Sequence, residues 1–229
     1  MSERPSPTIE DYLGVIYTLL RDSQPVYGRR LAEWMEVSPP TVTATLQRMV
    51  RDGWVLMGQD KTVRLTEEGS VAAASVVRRH MLTELLLARV LNVPWSEVHG
   101  EADRLEHGLS SETASRVAEL LDGAFADGTV ACPHGNPLPG QEARVGASRP
   151  LTEVSPGREY VLLRIHEEAE RDSATLALLE AQHLLPGARL TVLGPEPPSG
   201  SGLIAVLVGG ERVVLEGAVA RCLWLQDPE

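Results

Sequence analysis

The sequence predicts a mainly α chain with a smaller β fraction, in three regions: a winged helix-turn-helix, a helical middle and a small C-terminal β-barrel. Three observations predict it. Short helical patterns run into two short strands within the first 73 residues, apolar residues then recur at helical spacing to about residue 125, and β-rich runs dominate from Glu159 onward. The boundaries fall at 1–73, 74–143, a linker at 144–157, and 158–229.

In the first region, Thr8 is read as an N-cap, and Tyr12, Val15, Ile16, Leu19 and Leu20 recur on one helical face. A second helix over Arg29–Glu36 turns Leu31, Ala32, Trp34 and Met35 inward. Ser38 caps a third, with Pro39 and Pro40 at its start, where a missing N–H costs little. Val42, Leu46, Met49 and Val50 form its buried stripe and Gly53 ends it. Two strands, Trp54–Met57 and Thr62–Leu65, flank the turn Gly58-Gln59-Asp60-Lys61.

This order places the N-terminal residues of the third helix in a DNA major groove. They are Ser38, Pro39, Pro40, Thr41, Thr43 and Ala44, small enough for close approach, with hydroxyls for phosphates or bases and methyls for thymine. Arg48 and Arg51 suit phosphates, and Lys61 at the wing tip suits a flanking phosphate or the minor groove. The net charge of −11 argues against non-specific binding to polyanions. Yet the stretch from Arg21 to Arg64 carries seven basic against five acidic residues, so the reading region is locally positive.

In the middle region Thr66 caps a helix through Leu91. Pro94 opens another through Gly108, and Ser110 or Ser111 opens a third carrying Val117, Leu120 and Leu121. A run of turns, Cys132 to Gly140, follows. Beyond it, 141–157 shows little periodicity. Strands are expected over Tyr160–Ile165, Ala188–Leu193, Leu203–Val208 and Arg212–Leu215, with one helix over Ser173–Leu184 and a loop at Pro195–Gly202.

His80 and Glu84 stand i,i+4 on one helix, as do His99 and Asp103 on the next; Asp103 also stands i,i+4 to His107, with Glu106 at i+3. Any single such pair can decorate a solvated helix. Two linked sets on successive helices point instead to a cation site, and imidazole with carboxylate suits Mn2+, Fe2+ or Zn2+. Cys132 and His134 offer only two donors and read as part of the turn. With two cysteines, no run of 18 apolar residues and a charged N-terminus, the chain is expected to be soluble, reduced and cytoplasmic, with no membrane partner. An alternative is a metal-dependent hydrolase using the same cluster, but the sequence has no nucleophile elbow, HExxH or phosphate-binding glycine loop, so no enzyme is expected.

In this order the elements resemble the diphtheria toxin repressor family, bacterial iron- and manganese-dependent regulators. The resemblance rests on Pro40-Thr41-Val42, Arg48-Met49, Arg51-Asp52-Gly53, the helix from Arg79-His80 to Glu84, Val98-His99 through Glu106-His107, and Gly135-Asn136-Pro137-Leu138-Pro139-Gly140. It implies an SH3-like (FeoA-like) C-terminal domain and two metal sites. One joins Asp11 to Asp103, Glu106 and His107. The other joins His80, Glu84 and His99 to Asp172 from the barrel, while Thr175 stands where iron-type members have a glutamine ligand. Asp11 and Asp103 stand where iron-type members have methionine and cysteine, so hard oxygens replace soft sulfur and Mn2+ is favoured, with Fe2+ the alternative and Zn2+ able to substitute in vitro. The resemblance further implies a repressor of metal-uptake genes that binds palindromic double-stranded operator DNA as a homodimer and takes no small organic substrate. Leu85, Leu86, Val90 and Leu91 are its expected dimer face.

Overall fold

The computed structural model describes residues 5–124, 131–145, 147–196 and 202–228. Helix α1 (Pro7–Arg21) begins one residue before Thr8, with Pro7 at its first position and Ser6 as N-cap, because proline's fixed φ suits that position. It buries Ile9, Tyr12, Leu13, Ile16 and Leu19. After α2 (Gly28–Met35), Glu36 takes a left-handed φ of 53° and turns the chain. In α3 (Pro39–Arg51) the Ser38 hydroxyl accepts the Thr41 N–H at 3.3 Å, while Val42, Leu46 and Met49 are buried. Val50, expected in the stripe, is exposed.

Strands β1 (Val55–Met57) and β2 (Val63–Leu65) pair antiparallel with Val55 opposite Leu65. At the wing tip Lys61 is left-handed (φ 64°), and the Asp60 carboxylate accepts both the N–H and O–H of Thr62. Those bonds, the O–H first, hold the Asp60 carboxyl below its ordinary value. The expected Thr66 cap is present: its Oγ1 accepts the Gly69 N–H at 2.9 Å at the start of α4 (Glu67–Arg89). Gly69 sits so close to the wing that a Cβ there would lie 1.9 Å from the Trp54 carbonyl oxygen.

The chain divides into two compact units, 1–80 and 81–229. In the second unit α5 (Val98–Leu105) begins four residues after Pro94, because Trp95 is tied elsewhere: its indole N–H donates to the Pro133 carbonyl at 2.9 Å and its ring packs on the barrel core. A 3₁₀ turn, Glu106–Gly108, follows, then α6 (Ser111–Ala124), where the Ser110 hydroxyl accepts the Thr113 N–H. Next come α7 (Glu142–Val145) and β3 (Arg149–Pro150). The remaining elements are β4 (Glu159–Ile165), α8 (Glu167–Glu170), α9 (Ser173–Ala181), β5 (Arg189–Pro195), β6 (Leu203–Val208), β7 (Glu211–Glu216), α10 (Gly217–Cys222) and β8 (Leu223–Gln226).

The sheet order is β3-β8-β4-β5-β6-β7, with every pairing antiparallel. Its core gathers Tyr160, Leu162, Ile165, Leu176, Leu190 and Val206, among others. The stretch expected to be a linker contributes β3 to this sheet and Leu151 and Val154 to its core; a two-residue strand is too short to leave a periodic trace. Helix α9 stops at Ala181, since His183 turns left-handed (φ 56°) and drops Leu184 into the core. Most of the Pro195–Gly202 loop lies outside the described residues. No helix among the described residues is long and apolar enough to cross a membrane.

Candidate metal centre and reading helix

The second unit gathers donors from four segments into one buried cluster. Glu84 comes from α4, His99 from α5, His134 from the turn before α7, and Glu170 from the end of α8. Glu84 Oε1 lies 3.1 Å from His99 Nδ1 and 3.5 Å from His134 Nδ1. Glu170 Oε2 lies 3.1 Å from the same His99 nitrogen and 3.7 Å from His134 Nδ1. Cys132 is buried beside them, and one donor atom each from Glu84, Cys132 and His134 falls within 4.8 Å of the others.

His134 is fully buried and its orientation is fixed from behind. Nε2 faces the Trp95 carbonyl oxygen at 3.3 Å, and the indole of Trp95 lies against the ring at 4.6 Å between centroids. A carbonyl accepts only an N–H, so in the neutral ring Nε2 carries the hydrogen and Nδ1 presents a lone pair. That nitrogen lies 3.5 Å from Glu84 Oε1 and 3.7 Å from Glu170 Oε2, facing two carboxylates. Acceptors buried face to face repel unless a proton or a cation lies between them. Burial, the largest single influence, pulls the His134 imidazole down, but the charges of Glu170 and Glu84 outweigh it and hold it above its ordinary value. Burial, reinforced by Glu84, Glu170 and Glu167, pushes the Cys132 thiol well above its ordinary value. A divalent cation fits this donor set of oxygen, imidazole nitrogen and one displaceable thiol proton.

The other expected ligands are placed as follows. His80 lies one turn before Glu84 on α4, within the first unit, as does Asp11 on α1. Asp103 Oδ2 is 3.8 Å from His99 Nε2, and His107 Nε2 is 3.5 Å from Glu106 Oε1 on the 3₁₀ turn. Glu106 is buried, His107 half-buried and Asp103 exposed. Asp172, the expected barrel carboxylate, is the N-cap of α9: Oδ1 accepts the Ala174 N–H and Oδ2 accepts the Thr175 O–H at 2.6 Å. The Thr175 bond, more than the backbone ones, holds its carboxyl below the ordinary value. The barrel carboxylate that faces the histidines is Glu170, two residues earlier. Glu170, His134 and Cys132 are the donors that sequence reasoning left out. The Cys132-Pro-His134 pair was visible, but its partner Glu84 is distant in the chain.

On α3 the residues expected to read bases, Ser38, Pro39, Pro40, Thr41, Thr43 and Ala44, are all exposed, as are Arg48, Arg51 and Lys61. The Ser38 and Thr41 hydroxyls bond each other at 2.8 Å, and the Thr43 hydroxyl donates back to the Pro39 carbonyl. Arg51 is held by neighbouring Asp52, whose hydrogen bond and charge raise the guanidinium further above its ordinary value. Of the expected dimer face, Leu85 is fully buried within the unit, whereas Val90 and Leu91 are exposed.

A winged helix joined to a hub that buries carboxylates against imidazoles belongs to the class of metal-responsive transcriptional regulators. Residues 6–63 match the family described as iron dependent repressor, N-terminal DNA binding domain, and 66–140 its metal binding and dimerisation domain. Residues 149–227 match the FeoA domain. The iron-dependent repressor IdeR of Mycobacterium tuberculosis (strain ATCC 25618 / H37Rv) is 34% identical over 227 residues, covering 94% of this chain and 95% of the relative. The diphtheria toxin repressor of Corynebacterium diphtheriae (strain ATCC 700971 / NCTC 13129 / Biotype gravis) is 36% identical over 182 residues, covering 75% and 78%. Among solved structures, a manganese-dependent transcriptional repressor in complex with manganese is 31% identical, covering 96% of this chain and all of that one, with a TM-score of 0.81. The manganese regulator SloR is 27% identical over 98% of this chain and 100% of that chain, at 0.77. The chain belongs to the iron-dependent repressor family, that of the diphtheria toxin repressor, whose members are regulators rather than enzymes.

Proposed function

We propose that this protein is a repressor activated by Mn2+, with Fe2+ as the alternative cation, that binds palindromic operator DNA as a homodimer and controls metal-uptake genes. The observation that carries the metal reading is the buried gathering of two carboxylates, Glu84 and Glu170, and two imidazoles, His99 and His134, brought together from four segments with carboxylate oxygens 3.1–3.7 Å from imidazole nitrogens. In this reading they hold one cation together with His80 and Cys132. Asp11, Asp103, Glu106 and His107 hold the other. The first-named set carries one sulfur; the second is all oxygen and imidazole, which favours Mn2+. A bound cation supplies positive charge that neutralises clustered carboxylates. Asp11 belongs to α1, in the same compact unit as the reading helix, so its engagement ties the reader to the hub. Two reading helices of a dimer then match half-sites about 34–36 Å apart. Coupling is reciprocal, so operator DNA tightens metal binding.

Operator binding measured with and without Mn2+, and for Asp103→Ala with Mn2+, tests this. Tight binding is expected only for the native protein with Mn2+; equal affinity in all three states ends the proposal.

A further inference from the structure

We infer that Asn136 is a positioning residue for the buried centre: its side-chain amide, oriented by Arg164, holds one oxygen of Glu170 so that the other faces the histidines. The inference rests on reading that cluster as a metal centre. Asn136 is fully buried. Its Nδ2 donates to Glu170 Oε1 at 2.6 Å and to the Ile165 carbonyl at 2.6 Å, and its Oδ1 accepts from Arg164 Nη1 at 3.0 Å. Both amide hydrogens and the amide oxygen are therefore engaged. Flipping the amide would set its oxygen against a carbonyl and a carboxylate, and its hydrogens against a guanidinium. The orientation is thus single-valued. Arg164 is itself buried and lies 3.9 Å over the Trp224 ring of β8, which fixes the guanidinium from the far side.

The consequence falls on Glu170. With Oε1 taken by Asn136, Oε2 is the oxygen left 3.1 Å from His99 and 3.7 Å from His134. The arm is set before any cation arrives. Two backbone features place Asn136. A register shift in β4 between Leu162 and Arg164 reverses the strand's alternation, so Ile165 enters the core while Arg164 turns toward the 132–136 turn. Gly135, at φ 86°, packs so closely on β4 that a Cβ would lie 2.2 Å from the Leu163 carbonyl oxygen. His134 and Asn136 therefore flank one glycine, one facing the cation position and the other steering the carboxylate opposite it. Such outer partners change metal affinity by about 10–100-fold when removed.

The test is Co2+ titration of the full-length protein, followed by visible ligand-field absorption and by the near-ultraviolet sulfur-to-cobalt band, in native protein, His99→Ala, Asn136→Ala and Arg164→Met. The binding step that His99→Ala removes identifies this centre. Asn136→Ala is expected to weaken that step by about 10–100-fold and alter its spectrum while leaving the other step in place. Arg164→Met, which keeps the amide but removes its orienting donor, is expected to weaken the same step by a smaller factor. A folded Asn136→Ala with native affinity and spectrum overturns the positioning role while the centre stands. If Asn136→Ala does not fold, an unchanged step in Arg164→Met overturns it instead. If His99→Ala removes no step, the centre itself is misread and the positioning role falls with it.

Discussion

The first unit and the second solve burial differently. Around α1 to β2 the interior is an apolar cluster from Ile9 to Ala73, and the buried charges there are matched, Glu10 with Arg79 at 2.7 Å and Arg21 with Asp22 at 3.0 Å. The second unit has its own apolar core in the barrel, yet it also buries Glu84, His99, Glu106, His134, Asn136, Arg164 and Glu170. Burying two carboxylates beside one another opposes folding, whereas a matched pair largely offsets its own desolvation. A fold alone does not require the second arrangement. The difference is the one the proposed function calls for: a first unit that presents a surface and a second whose buried carboxylates and imidazoles suit a cation.

The comparison breaks most sharply at two glycines. Gly69→Ala drives a Cβ into the Trp54 carbonyl and Gly135→Ala drives one into the Leu163 carbonyl, the latter also at a left-handed φ. Each is expected to destabilise the chain by about 3 kcal/mol, read by denaturant unfolding. Only Gly135→Ala should also remove Co2+ binding at the buried centre. Equal loss of metal binding in both variants would mean that the two units are not separable in function.

Glu84→Gln sharpens it next. Without metal, the variant loses a buried carboxylate that lies 3.1 Å from His99 Nδ1 and 3.5 Å from His134 Nδ1, so it should be less stable than the native protein by about 2 kcal/mol. With Mn2+ at a hundredfold excess over its dissociation constant the native protein gains about 2.7 kcal/mol per site, and the variant should gain less. The gap between the two melting temperatures is then widened by metal. Calorimetry with and without Mn2+ shows it, and an unchanged gap would make the buried carboxylates merely structural.

What the sequence made legible follows the range of the interactions. Ser38 with two prolines announces the start of α3 because cap and proline act within one turn. His80 with Glu84 and Asp103 with His107 stand out because side chains at i,i+4 share a face. Strands β3 and β8 escaped notice: one has two residues, and the other follows α10 without an intervening turn signal. Glu170 sits in the run Glu167-Glu168-Ala169-Glu170, which reads as a solvated helix start. Its inward aim depends on Asn136 and on the irregularity in β4, neither of which leaves a local pattern. Cys132 and His134 looked like turn residues because the third donor beside them lies on a helix far earlier in the chain.

The choice between Glu170 and Asp172 as the barrel's donor gives the smallest effect and a clean sign. Asp172 is exposed and caps α9, so Asp172→Ala should cost about 1 kcal/mol. Its carboxyl is held below the ordinary value in the fold by Thr175 and the backbone, so the stabilisation is complete above the ordinary aspartate range and is lost as pH falls through the lowered value. The native-minus-variant difference should therefore be flat near neutrality and shrink below about pH 4. A helix cap has no stake in the cation, so this difference should be the same with and without Mn2+. A difference that grows when Mn2+ is added would make Asp172 a ligand and would return the barrel's contribution to the position the family resemblance implies, leaving Glu170 to pair with the histidines only in the empty centre.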